Sequence, residues 1–308
     1  GDYREIVRTL LRNFVIAMVI ALVIIILKPL INISIQHFFN TSLETQKLIK
    51  TYLNVRVFSV PSELVIYILV GFYLGIQKTK ISSLMILILS ILNIVFSSIL
   101  VLSYDLGIFG VALGTLFSSF ITVIIFTFFT YNFIIKKFKL IPRFEKIVVK
   151  SKLLKLFNIN LDIFIRTLFV TFSFLWVTYL GSKLGEDYLA VNTILMQFIV
   201  LAAFFLDAYA FSTEGIVGFT IGRKVKNSFL SIVKNSIQIS FLTALIVSFV
   251  YIIFFKQIIN ILTDIEILRF ISYKHFLWVI IIPPVASFCY QLDGIFIGAS
   301  QTKEMKNA

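Results

Sequence analysis

Eight apolar runs, each about 20–27 residues long, divide this 308-residue chain, and a run of that length matches the hydrocarbon layer that a membrane helix must cross. They cover approximately residues 10–35, 53–76, 81–102, 109–135, 161–180, 188–211, 236–255 and 276–299. Lipid offers no partner to a backbone N–H or C=O, so runs of this length must satisfy their own backbone as helices. Strands of a membrane barrel are about half as long. Composition points the same way: 59% of residues are hydrophobic and 14% are charged, against about 25% charged in soluble domains. The expected fold is an all-α polytopic membrane protein.

The net charge of +13 would suggest nucleic acid in a soluble protein. Here the basic residues sit in short loops between the apolar runs, where they orient the chain in the bilayer. No nucleic-acid partner is expected; the bilayer is the partner. Residues 136–155 hold eight basic side chains, including Lys137, Lys139, Arg143, Lys146, Lys150 and Lys152, so this loop should be cytoplasmic. Alternation from there places 19 basic residues inside and 8 outside, with Arg166 inside a span. The expected location is the cell inner (plasma) membrane, multi-pass, with 136–160 cytoplasmic.

The chain also repeats itself. Ile24 to Ile33 returns as Ile252 to Ile261 with six of ten positions identical, among them Lys28/Lys256 and Asn32/Asn260. Pro61, Tyr67, Gly71, Gly75, Thr79 and Lys80 are matched by Pro284, Tyr290, Gly294, Gly298, Thr302 and Lys303. Polar and glycine matches that keep their spacing within each segment, at a period of roughly 225 residues, are hard to obtain by accident in so apolar a chain. Both copies run from inside to outside, so the repeat is parallel, as in transporters with duplicated halves. Six spans separate the copies. The expected organisation is an N-terminal lobe over 1–135, a basic linker over 136–160 and a C-terminal lobe over 161–308. These are the middle eight spans of an inferred twelve.

Charges inside spans are expensive and need an account. Asp207 and Glu214 are seven apart and share a helix face with Asn192, all within roughly a 60° arc. Such a stripe suits a cavity wall that binds a proton or cation, or simply helix–helix hydrogen bonding. Asp293 lies mid-span, and its repeat partner is Val70, so duplication did not supply it to both halves. Asp207, Asp293 and Glu214 are the candidate coupling residues; Asn192, Arg166 and Tyr290 are candidate cavity residues. Asp162 and Arg166 have i, i+4 spacing, which favours an intrahelical ion pair; pairing of Arg166 with a carboxylate such as Asp207 is the alternative. Glu63 is either interfacial or an outer cavity residue. The pairs Gly71/Gly75, Gly110/Gly114 and Gly294/Gly298 predict close helix packing, and Pro61 and Pro283-Pro284 predict bends. Phe204 and Phe205 are candidates for stacking on a planar cation.

The segment Asp105 to Thr115, with Gly107, Gly110 and Gly114, resembles the glycine-rich start of the sixth span in multidrug and toxic compound extrusion (MATE) transporters. Leu184 to Met196, Leu206 to Gly215 and Gln291 to Ala299 resemble the DinF-like branch of that family. The resemblance covers the family's third to tenth spans. It implies a secondary antiporter that exchanges H+ or Na+ for bulky, often cationic organic compounds, without a cofactor. A monomer that binds a small organic substrate is expected.

No phosphate-binding loop, HExxH or G-x-S-x-G segment supports an enzyme. Cys289 is the sole cysteine, so no disulfide forms within the chain. His37 and His275 lie near span ends and build no metal site. The rival functions are a lipid-linked saccharide flippase, whose cavity should carry several Arg or Lys, and a transport-dead structural remnant.

Overall fold

The computed structural model describes residues 3–30, 33, 43–138 and 149–307. Among these residues all regular structure is helical. Eight helical segments are long and apolar enough to cross a membrane, as the apolar runs predict. The helices are α1 (Tyr3–Ile26), α2 (Leu43–Arg56), α3 (Val60–Gly75), α4 (Thr79–Ser98), α5 (Gly107–Phe133), α6 (Lys150–Lys183), α7 (Glu186–Gly222), α8 (Lys226–Leu262), α9 (Glu266–Lys274), α10 (Phe276–Gly298) and α11 (Thr302–Asn307).

Helices α7 and α8 are each 37 residues long, about 55 Å at 1.5 Å per residue. The hydrocarbon layer is about 30 Å, so both extend well beyond their apolar runs. Hydropathy marks only the lipid-matched part. No proline lies between Pro142 and Pro283, and nothing stops these helices at the membrane surface. Likewise α6 begins at Lys150, so residues 150–160 of the segment expected as a linker are helix. Residues 139–148 of that segment, with Arg143 and Lys146, and also His37, lie outside the described residues. The chain divides into two compact units, Gly1–Phe157 and Asn158–Ala308, and passes from one to the other within α6.

Each unit exposes large apolar side chains and buries small polar ones beside its apolar core. Large apolar side chains such as Leu102, Phe128, Phe204 and Ile261 point outward, while Ser59, Ser62, Ser82, Ser118, Ser119, Thr122 and Ser240 are buried. Lipid gives no reward for hiding apolar area, so small residues and hydrogen bonds hold the helices together. In the first unit Ser62 Oγ donates to Ser119 Oγ at 2.8 Å, and Tyr73 OH and Thr130 Oγ1 share a bond of 2.9 Å. Both join α3 to α5, beside a core of Val65, Ile66, Leu69, Met85 and Phe126. In the second unit Tyr251 OH donates to the Phe198 carbonyl at 2.7 Å, joining α8 to α7 around Phe198, Ala202, Phe255 and Val279.

The prolines show the same bookkeeping of backbone groups. Pro61 has no N–H, and the helix is entered through a tighter 3-10 turn at Val57–Ser59, in which the Val60 N–H bonds to the Val57 carbonyl. Pro283 and Pro284 lie inside α10. Pro284 leaves the Ile280 carbonyl without its usual i+4 donor, and Ser248 Oγ of α8 donates to it at 2.7 Å. The freed carbonyl is thus tied to a neighbouring helix.

The glycine pairs behave differently in the two halves. A Cβ on Gly294 would fall on the Ala210 backbone, and one on Gly298 would reach the Glu214 carbonyl oxygen at 2.5 Å. Gly114 is equally tight against Ser97. A Cβ on Gly71 or Gly75 meets nothing, so the close approach predicted for that pair does not occur among the described residues. Gly294→Ala should therefore lower stability by about 1–3 kcal/mol, since backbone must shift to admit the methyl. Gly71→Ala should be neutral or stabilising by up to about 1 kcal/mol through helix propensity. Thermal unfolding of the two purified variants, followed by size-exclusion fluorescence, checks both.

Candidate functional site

Helix α7 buries one stripe: Val191, Phe198, Ala202, Leu206, Ala210, Thr213, Val217 and Thr220. Asn192, Asp207 and Glu214 each follow a buried residue of that stripe and are half-buried themselves. The polar stripe therefore runs along one edge of the packed face. It is long as well as narrow: Asn192 lies about 22 Å and Glu214 about 10 Å along the axis from Asp207.

Three helices bring charged groups together at the level of Asp207. Arg166 of α6 donates through Nη2 to Asp293 Oδ2 of α10. The Asp207 carboxylate lies within coulombic reach of both Asp293 and Arg166. Tyr290, one turn before Asp293, lies within reach of Asp207, Arg166 and Asp293. Asp207 itself makes no hydrogen bond among the described residues. Four of the six sequence candidates thus converge: Asp207, Asp293, Arg166 and Tyr290. Two do not. Asn192 sits beside Gly181, where a Cβ would lie 3.6 Å from Asn192 Cβ. Glu214 stands beside the Gly298 contact. A common face does not place residues at a common depth.

The expected Asp162–Arg166 ion pair does not form. Asp162 instead accepts from Lys306 of α11 and lies 3.5 Å from Thr302 Oγ1, while Arg166 reaches Asp293. Both residues follow the i, i+4 spacing, but partners on other helices take them. Behind the cluster, Gln291 is fully buried and accepts from Thr213 Oγ1 at 2.9 Å; its Nε2 has no partner among the described residues. That bond ties α10 to α7 one turn from the charges. Phe204 and Phe205 are exposed. His275 accompanies the α9–α10 junction, its Nδ1 2.9 Å from the Ile271 carbonyl. No metal-binding cluster occurs among the described residues.

The first unit holds a second polar site. A cavity of about 430 Å³ is lined by Arg56, Glu63, Ser90, Asn93, Thr115 and Ser119, among others. Arg56 pairs with Glu63 and also bonds Ser59, and Ser59 Oγ donates to Glu63 Oε1 at 3.0 Å. Asn93 Nδ2 donates to Thr115 Oγ1 at 2.9 Å. Of the two sequence readings of Glu63, the structure supports a cavity residue. Arg56, Asn93 and Thr115 were not singled out in the sequence. The i, i+7 spacing of Arg56 and Glu63 was an available signal; the uncharged residues carried none.

The sequence profile of the MatE family matches residues 1–99 and 163–305. The chain belongs to the MatE family. It is 29% identical over 302 residues to DNA damage-inducible protein F of Escherichia coli (strain K12), covering 98% of this chain and 65% of the relative. It thus spans just under two thirds of that relative's length. Among solved structures it superposes on the outward-facing conformation of a multidrug resistance MATE family transporter of the MOP superfamily with a TM-score of 0.83 at 17% identity, covering 97% of this chain and 67% of the other. It superposes on a MOP superfamily transporter from Pyrococcus furiosus with a TM-score of 0.84 at 18% identity, covering 100% and 68%. These structural likenesses carry the fold. The family is one of multi-pass membrane transporters rather than enzymes.

The pairing seen in this MatE-family chain predicts how mutations couple. A double-mutant cycle on Arg166→Met and Asp293→Asn should give a coupling energy of about 1–3 kcal/mol. The corresponding cycle on Arg166→Met and Asp162→Asn should give about zero, because those residues share no bond. Thermal stability of the three single variants, the two double variants and the parent provides both values.

Proposed function

We propose that the protein is a secondary active antiporter that exports organic, cationic compounds in exchange for H+ or Na+. The observation that carries this reading is the cluster of Asp207, Asp293, Arg166 and Tyr290 on membrane-spanning helices. Two carboxylates meet one guanidinium, so the ionised cluster has a formal charge of 2 − 1 = 1 negative unit. Arg166 compensates Asp293, and Asp207 is left with no hydrogen bond among the described residues. An uncompensated charge at membrane depth is costly, and a proton, Na+ or a cationic substrate would relieve it. One carboxylate serves one cation at a time. Competition for it makes binding of ion and substrate mutually exclusive, and that exclusivity is what exchange requires.

Membership of the MatE family and similarity to the Escherichia coli protein support transport. In this reading the repeat halves, 1–135 and 161–308, are the lobes of alternating access, with 136–160 between them on the cytoplasmic side of the inner membrane, in a monomer. Asp207 and Asp293 take the coupling role. Glu214 and Asn192 lie too far along α7 to join them directly, and they serve the same stripe elsewhere. Pocket polarity is the property that separates this reading from a flippase for pyrophosphate-linked lipids. The Pyrococcus furiosus transporter has a binding pocket of reverse polarity, which suggests a different function for it. In this chain carboxylates outnumber the guanidinium, which suits a cation.

In proteoliposomes, Asp207→Asn and Asp293→Asn should each reduce counterflow of a fluorescent organic cation, driven by a pH or Na+ gradient, by about tenfold or more. The yield of folded protein should stay unchanged. Undiminished counterflow in both variants would sink the assignment.

A further inference from the structure

The first two turns of α6 belong to the first unit and lie against α1. Lys152 Nζ donates to Glu5 Oε1 at 2.6 Å, which sets the start of α6 beside the start of α1. From that charged end the two helices leave a groove of about 390 Å³ between them. Val15, Val19 and Ile20 of α1 and Leu154 and Phe157 of α6 line it, and Lys150 is the one charged residue in the wall. The spacing explains the lining. Lys150, Leu154 and Phe157 are four and three apart and share a face of α6, while Val15, Val19 and Ile20 share a face of α1. Val15 to Ile20 lie about 15–22 Å from Glu5 along α1, so the α1 wall of the groove lies beyond the Glu5–Lys152 contact and is apolar.

We propose that this groove holds one acyl chain of an anionic phospholipid, with the Lys150 ammonium on the lipid phosphate. Three observations carry it. First, the wall has the polarity of such a molecule: apolar throughout except for one cation, at the end where α6 begins. Second, the surroundings fit. Val19, Leu154 and Phe157 are about half exposed, so the groove is open along its side to the bilayer. Third, Lys150 is exposed and makes no ion pair or hydrogen bond among the described residues, whereas its neighbour Lys152 is spent on Glu5. Lys150 also belongs to the basic segment of residues 136–155, which charge bias assigns to the cytoplasmic side. Basic residues at that surface attract anionic headgroups. A free phosphate would use Lys150 but leave the apolar wall unused, so the occupant is the lipid. The site lies in the first unit and does not depend on the Asp207 cluster or on the transport reading.

Native mass spectrometry of the full chain, titrated with phosphatidylglycerol and with phosphatidylcholine in detergent, tests this. Phosphatidylglycerol should be retained about fivefold more than phosphatidylcholine, the gain expected of one lysine at an anionic lipid. Lys150→Ala should remove that preference and Lys150→Arg should keep it. Val19→Trp, which fills the groove from an exposed position, should reduce retention of both lipids. Lys183→Ala, at the other end of α6, should change nothing. Equal retention of the two lipids by the parent would overturn the proposal. So would a preference that survives Lys150→Ala, retention that Val19→Trp leaves unchanged, or displacement of the lipid by inorganic phosphate. Each variant's elution volume on size exclusion confirms that it is folded before it is compared.

Discussion

Every feature of this protein follows from one constraint: in lipid, a backbone polar group has no solvent to fall back on. That constraint turns the eight apolar runs into helices. It also explains where helix geometry is allowed to fail. Pro284 takes a donor away from the Ile280 carbonyl, and Ser248 on a neighbouring helix supplies one. Pro61 stands where the helix has already tightened into a 3-10 turn that satisfies Val57 locally. These two prolines are placed where another donor exists.

The same constraint changes what holds helices together. Apolar side chains gain little by leaving lipid, so association falls to close packing and to hydrogen bonds. Serines and threonines are accordingly buried beside the apolar core, and pairs such as Ser62–Ser119, Tyr73–Thr130 and Thr213–Gln291 join one helix to the next. Such contacts depend on small side chains at defined depths. A methyl group at Gly294 or Gly298 meets backbone, and backbone cannot rotate aside as a side chain can.

This division explains what was legible in the sequence. Helix existence and type were readable, because length and hydropathy record the lipid match directly. Helix ends were not: α6, α7 and α8 run past their apolar parts, and no proline marks where they stop. The convergence of Asp207, Asp293, Arg166 and Tyr290 was half-readable. The cost of a charge at membrane depth singled out each residue, but spacing along one helix pointed Arg166 at Asp162, while the structure hands it to Asp293. Local spacing records only partners on the same helix. The cavity of Asn93, Thr115 and Ser119 was least legible, since uncharged residues on separate helices leave no pattern in a single sequence.

The repeat makes the charge distribution informative. The halves keep matched prolines, glycines and tyrosines, yet they treat them differently: Gly294 and Gly298 pack against α7, while their partners Gly71 and Gly75 face open space. The ion pairs differ too. In the first half Arg56 and Glu63 neutralise one another within consecutive turns. In the second half Arg166 reaches across to Asp293, opposite Val70 in the repeat, and Asp207 adds a second carboxylate. One half therefore carries a balanced polar cavity and the other an unbalanced acidic cluster. A balanced site can hold a neutral or zwitterionic group without changing its own charge. An unbalanced one must acquire a cation to be neutral at membrane depth. Under the proposed function, the demand for a cation among the described residues therefore falls on the second half, where Asp207 adds a carboxylate that Arg166 does not pair.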